Sequence, residues 1–205
     1  FWTYATMSDG LVLFVGDVVG HGLGPAMVTA MAKSCFETLY QSDQRYSTGL
    51  GMLMESMSGV LHRATQAQYT MTGCAIHIDR RAGLLSYSLA GHCPPIFVST
   101  QSLELQALYG PPSSPLGVAP GECHFTSGQL RYRPGDRLLL YSDGLIECMG
   151  PTGTPFGLGR LRRALKQCAT LGLDDSLRVI RDKVYRYSES TERDDDITMI
   201  IAELR

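Results

Sequence analysis

Acidic residues stand at three places where an apolar run meets a turn. Leu11-Val12-Leu13-Phe14-Val15 leads into Gly16-Asp17-Val18-Val19-Gly20-His21-Gly22. A five-residue apolar run reads as a buried strand. Asp17 therefore falls at a strand end, in a loop whose glycines let backbone groups approach a ligand closely. The arrangement recurs at Leu138-Leu139-Leu140-Tyr141-Ser142-Asp143-Gly144, and in mirror order where Asp194-Asp195-Asp196 precedes Ile197-Thr198-Met199-Ile200-Ile201. One such aspartate alone reads as a turn or cap residue. Three of them, all flanked by apolar strands, predict a shared cation site.

Asp17, Asp143 and Asp195 brought together would repel one another at neutral pH and destabilise the fold unless a cation neutralised them. An all-oxygen donor set favours Mg²⁺ or Mn²⁺ over Zn²⁺, and two such ions can share one bridging carboxylate. Asp17 is the expected bridge, because the glycine-rich turn frees the Val18 carbonyl beside it. Two ions about 3.5 to 4 Å apart lower the pKa of a water and neutralise charge on a phosphoryl group. The expected reaction is hydrolysis of a phosphate ester without a covalent intermediate.

The elements that must carry these residues follow from periodicity. Pro25 can open a helix in which Met27, Met31, Cys35 and Leu39, beside Val28, Ala32 and Phe36, form one apolar face. Leu50, Leu53, Met54, Met57, Val60, Leu61 and Ala64 repeat at three and four and predict a second helix. The methionines read as packing. From Met71 the period falls to two, and a turn near Arg81-Ala82-Gly83 leads into Leu84 to Ala90, a β-hairpin. Further strands are predicted over Ile96 to Ser99, Leu103 to Leu108, His124 to Tyr132 and Arg137 to Tyr141, between Pro/Gly/Ser turns. Leu158 to Ala169 and Asp175 to Tyr187 read as amphipathic helices, and Ile197 to Ala202 as the last strand. Helices layered over antiparallel sheets give an α+β architecture.

Composition bounds the partners. A chain of 205 residues with 44% hydrophobic and 19% charged residues supports one globular domain with a sizeable core. The net charge of −2 and the lack of a basic block argue against nucleic acid or anionic lipid as partners, and with them against a two-metal nuclease. No apolar stretch approaches the roughly 20 residues of a membrane span. The start, Phe1-Trp2-Thr3-Tyr4, has neither an initiator Met nor a signal-peptide layout, so the chain is expected to be a piece of a longer protein. Cys35, Cys74, Cys93, Cys123, Cys148 and Cys168 lack CxxC spacing and fit reduced thiols in the cytoplasm.

The ordered motifs resemble those of the bacterial SpoIIE/RsbU-type serine/threonine phosphatases, a branch of the PP2C-like (PPM) superfamily. Gly16 to Gly22 is similar to that family's GDVxGHG, and Ala90-Gly91-His92-Cys93-Pro94-Pro95 to its AGHxPP. Ser114-Pro115-Leu116-Gly117 resembles its xPLG, and the stretch from Pro134 to Glu147 its PGDxLLLYTDGxxE. Phe156-Gly157 and Asp195-Asp196-Ile197-Thr198 complete the order across nearly the whole chain. The resemblance implies a four-layer αββα sandwich of two mainly antiparallel sheets flanked by helices, spanning residues 1–205 as one phosphatase domain.

It also implies dephosphorylation of phosphoserine or phosphothreonine on a protein, an anti-sigma-factor antagonist with a STAS domain, by water activated at two Mn²⁺ or Mg²⁺ ions. Asp17 would bridge both ions and Val18 would offer its carbonyl to one. Asp143 and Asp195 would bind the other, with Asp196 in reserve because a run of three aspartates leaves the register open. The family's first acid would lie before Phe1, and Thr3 stands where it carries a second acid. A sensor or regulatory domain is expected upstream, and a homodimer is compatible with the apolar helix faces. The alternative is a weak or inactive phosphatase-like module that binds a protein without turnover.

Two histidines adjoin these motifs. His21 is a candidate general acid that would protonate the leaving seryl oxygen. Its other reading is a turn residue with the ring bonded to a backbone carbonyl. His92 is read as structural. Cys74 and Arg80 stand in the CxxxxxR spacing of cysteine-dependent phosphatases, but the residues between them alternate like a strand and include no glycine, so they do not curl around an anion.

Overall fold

A computed structural model describes residues 1–41, 49–118, 124–188 and 195–205. The chain divides into two compact units, one formed by residues 1–94 and 109–131 and the other by residues 95–108 and 132–205. Each unit carries one antiparallel sheet, and five helices accompany the two sheets among the described residues. The fold is α+β.

In the first unit the sheet order is β1 (Trp2–Thr6), β2 (Gly10–Val18), β3 (Met71–Asp79), β4 (Leu84–Ala90) and β7 (Ser127–Arg131). Alternation along β2 sends Val12 and Phe14 into a core shared with α1 (Leu23–Gln41) and α2 (Leu50–Thr65). Phe14, Phe36, Leu53, Met54, Met57 and Leu61 are fully buried there. The buried line of α1 is Val28, Ala32 and Phe36, whereas Met27 is 53% exposed. Met31, Cys35 and Leu39 flank that line, partly buried against the same core, so of the expected apolar face only Met27 stands out.

Edge strand β1 was not anticipated. Its outward residues Trp2 and Tyr4 stack on each other, ring centroids 6.2 Å apart, and stay half-exposed. The buried residue between them is Thr3, whose hydroxyl donates to Glu37 on α1 at 3.2 Å. Such a strand has none of the apolar alternation that marks a half-buried one.

In the second unit the order is β6 (Leu105–Ala107), β5 (Ile96–Val98), β8 (Arg137–Tyr141) and β9 (Met199–Glu203). Every residue of β8 is buried, Leu138 to Tyr141 as their apolar run predicts and Arg137 through its polar partners. α4 (Gly157–Cys168) turns inward Leu161, Ala164, Leu165 and Cys168, and α5 (Leu173–Ser188) turns inward Ser176, Ile180 and Val184. Arg137 staples the α4–α5 connection to the sheet: its guanidinium donates to the Leu171 carbonyl at 2.7 Å and lies 3.7 Å from Glu203.

Several predicted strands are shorter than expected. Leu103 adopts a left-handed backbone, φ +55°, so the expected strand from 103 shrinks to β6. The strand expected from His124 starts at Ser127, where pairing with Ser88 of β4 begins, and the Thr126 carbonyl before it accepts the Ser88 hydroxyl. A five-residue helix, α3 (Asp143–Glu147), is too short for periodicity to reveal. Asp194 and Cys123 lie outside the described residues.

Candidate metal centre

In the first unit Asp17 is the penultimate residue of β2, paired with Thr72 of β3, and Val18 is paired with Met71. One more bond extends the ladder, from the Val19 amide to the Thr70 carbonyl at 3.1 Å. The chain then turns through Gly20 (φ +96°) and Gly22 (φ +99°), conformations that a Cβ would disfavour. The Gly22 carbonyl accepts the Ala26 amide at 3.1 Å, so α1 starts at once. Asp17 is partly buried, and His21 is exposed between the two glycines.

Thr72, the cross-strand neighbour of Asp17, lies 2.8 Å through its hydroxyl from Nδ1 of His92. Directly paired residues share a sheet face. The buried His92 ring is thereby tied to β3, the strand beside the one that carries Asp17.

In the second unit β8 breaks into α3 at Ser142, and Asp143 is the first helical residue. The Asp143 carboxylate accepts the Gly144 amide at 3.0 Å, and the Asp195 carboxylate accepts the Asp196 amide at 2.8 Å. Carboxylate oxygens of Asp143 and Asp195 lie within 4.8 Å of each other. Asp196 turns its carbonyl toward the Ser142 hydroxyl at 3.1 Å, and the residue is exposed. Of the two acids left open by the sequence, Asp195 is the one whose side chain meets Asp143. Gly144 permits this approach, because a Cβ there would collide with the Asp196 carbonyl oxygen.

The donor chemistry suits a hard divalent cation. Asp143 and Asp195 offer oxygen alone, and two carboxylates so close gain from a positive charge near them. Sequence reasoning passed over Ser142, whose hydroxyl holds the Asp196 carbonyl beside Asp195. The signal was available for Ser142, a hydroxyl between a buried strand and an acid.

Cys74 is not a competing nucleophile. It lies on β3, fully buried, and desolvation, with the neighbouring Cys93 adding to it, pushes its thiol well above the ordinary range. Among the described residues no helix is long and apolar enough to cross a membrane.

Known proteins share both sequence and fold with this chain. Residues 7–205 match the family model for stage II sporulation protein E, SpoIIE. A Bacillus subtilis protein named phosphoserine phosphatase RsbP is 26% identical over 199 residues, covering 94% of this chain and 45% of that protein. The chain thus spans less than half the length of this curated relative. The SiaA-PP2C domain of Pseudomonas aeruginosa superposes with a TM-score of 0.87 at 20% identity, over 100% of this chain and 80% of that one. The catalytic domain of the serine/threonine protein phosphatase PstP, solved with two manganese ions, superposes with a TM-score of 0.70 at 14% identity, over 98% and 90%. A family match over almost the entire length has one meaning: the chain belongs to the SpoIIE family, on a fold of two antiparallel sheets shared with PP2C-type phosphatase domains.

Proposed function

We propose that residues 1–205 act as one metal-dependent phosphatase domain that hydrolyses phosphoserine or phosphothreonine on a signalling protein. The observation that carries this reading is the approach of the Asp143 and Asp195 carboxylates to within 4.8 Å in a family of phosphatases. Asp17, with the Val18 carbonyl, would join them around two Mn²⁺ or Mg²⁺ ions, and Asp195 serves in preference to Asp196 because its side chain meets Asp143. When bound, the ions would supply a water of lowered pKa and neutralise charge on the phosphoryl oxygens. Asp17, Asp143 and Asp195 would fix the ions. His21, exposed in the glycine loop after Asp17, would give a proton to the leaving seryl oxygen.

The substrate class we favour is a STAS-domain antagonist of an anti-sigma factor, met in the cytoplasm by a longer protein that carries its own sensor domain. The chain's net charge of −2 gives no reason to expect nucleic acid as a partner. A second reading, a protein-binding module without turnover, draws on Thr3, which bonds to Glu37 instead of supplying an acid. Incubation of the Mn²⁺-loaded protein with a phosphorylated STAS protein, a phosphopeptide and DNA separates these readings. Phosphate release from the first two supports the phosphatase. Binding of the STAS protein with no release supports the module, and cleavage of DNA overturns both.

A further inference from the structure

Ser142 occupies the residue before α3, where a serine hydroxyl ordinarily accepts an amide of the first helical turn. Here it makes no such cap bond. The hydroxyl instead accepts the Thr198 amide at 2.9 Å and donates to the Asp196 carbonyl at 3.1 Å, while the Ser142 amide donates to the Thr198 carbonyl at 3.0 Å.

These bonds sit where the β8–β9 ladder should end. Tyr141 pairs with Met199, so Ser142 and Thr198 are the next partners, and in a regular antiparallel ladder they would exchange both backbone bonds. Only one of the two is made between backbones. The Ser142 carbonyl has turned away to accept the Leu145 amide at 3.2 Å, the first turn of α3.

We infer that Ser142 is a positioning residue for the cation site: its hydroxyl replaces its own carbonyl in the ladder, so that β8 can break into a helix at Asp143 while the Asp195 segment stays in register. Without the substitution the carbonyl could serve the ladder or the helix, and one of the two aspartates would lose its support. The hydroxyl serves both acids at once, because the same oxygen that ends the ladder also grips the carbonyl of Asp196, the residue after Asp195. Ser142 is 5% exposed, so solvent has little access to replace these bonds. Alanine cannot make them, whereas threonine retains the hydroxyl. The inference rests on the metal reading proposed above, and it concerns affinity, since partners of metal ligands typically contribute about 10- to 100-fold to metal binding.

The test is titration calorimetry with MnCl₂ on the metal-free protein, beside amide hydrogen exchange at Thr198. Ser142→Ala should weaken Mn²⁺ binding by about 10- to 100-fold and expose the Thr198 amide to exchange. Ser142→Thr should bind within a few-fold of the parent and keep that amide protected. If Ser142→Ala fails to fold, Ser142→Thr carries the test: a loss of about 10-fold in Mn²⁺ affinity with the Thr198 amide still protected overturns the inference. Unchanged Mn²⁺ affinity in Ser142→Ala, with the parent binding normally, overturns the inference alone. A parent protein that takes up no Mn²⁺ overturns the metal reading and this inference with it.

Discussion

The two units present an aspartate at a strand end in different ways. Asp17 is held by an uninterrupted backbone ladder, and its strand exits through glycines with positive φ, so the geometry there depends on main-chain conformation. Asp143 stands where a ladder is broken on purpose, and side-chain chemistry at Ser142 covers the break. The first device demands glycine at positions 20 and 22, where φ is positive. The second tolerates only a hydroxyl at one position. Equivalent acids in one sequence can therefore carry different mutational sensitivities.

The largest effect that can break this comparison is loss of the acids themselves. Asp17→Asn and Asp143→Asn should each reduce hydrolysis of an aryl phosphate by on the order of 10³-fold while circular dichroism stays unchanged. Full turnover in Asp17→Asn with none in Asp143→Asn would mean that the two strand ends do not serve one chemistry. Metal should next appear in stability: at a hundredfold excess over its dissociation constant Mn²⁺ should stabilise the protein by about 2.7 kcal/mol, roughly 5 to 10 °C in Tm for a chain of this size. A melting curve indifferent to Mn²⁺ would remove the cation from both ends.

The proton donor sharpens the first unit's side. His21→Gln should slow release from a seryl phosphate by about 10²-fold, yet leave an aryl phosphate, whose leaving group needs no proton, nearly unaffected. Equal slowing of both substrates would assign His21 to the turn. The smallest effect belongs to the backbone device: Gly22→Ala, at φ +99°, should cost about 1 to 2 kcal/mol in urea unfolding. A neutral result would mean that the turn relaxes at no cost.

The features that sequence revealed most clearly were those that one residue class dictates. The buried run of β8, the alternation of β3 into β4 and the helices over 23–41, 50–65, 157–168 and 173–188 all follow from apolar spacing. What escaped was set by pairing across the chain. β1 has two exposed aromatics where a strand signal needs alternation, and α3 is a single turn, too short to show a period. Within the candidate site, the acids at 17 and 143 were legible because strand ends are legible. Asp195 was read ahead of Asp196 with the register left open, and what sequence could not supply is the approach of the Asp195 carboxylate to within 4.8 Å of Asp143.

The chain contains one tryptophan, and it sits half-exposed on the outermost strand of the first sheet. Indole emission will therefore respond first to fraying of that border and only weakly to loss of the methionine-rich interior. An early fluorescence transition that precedes loss of the far-ultraviolet helical signal in denaturant is thus the expected behaviour of a peeling edge, and by itself gives no reason to invoke a folding intermediate.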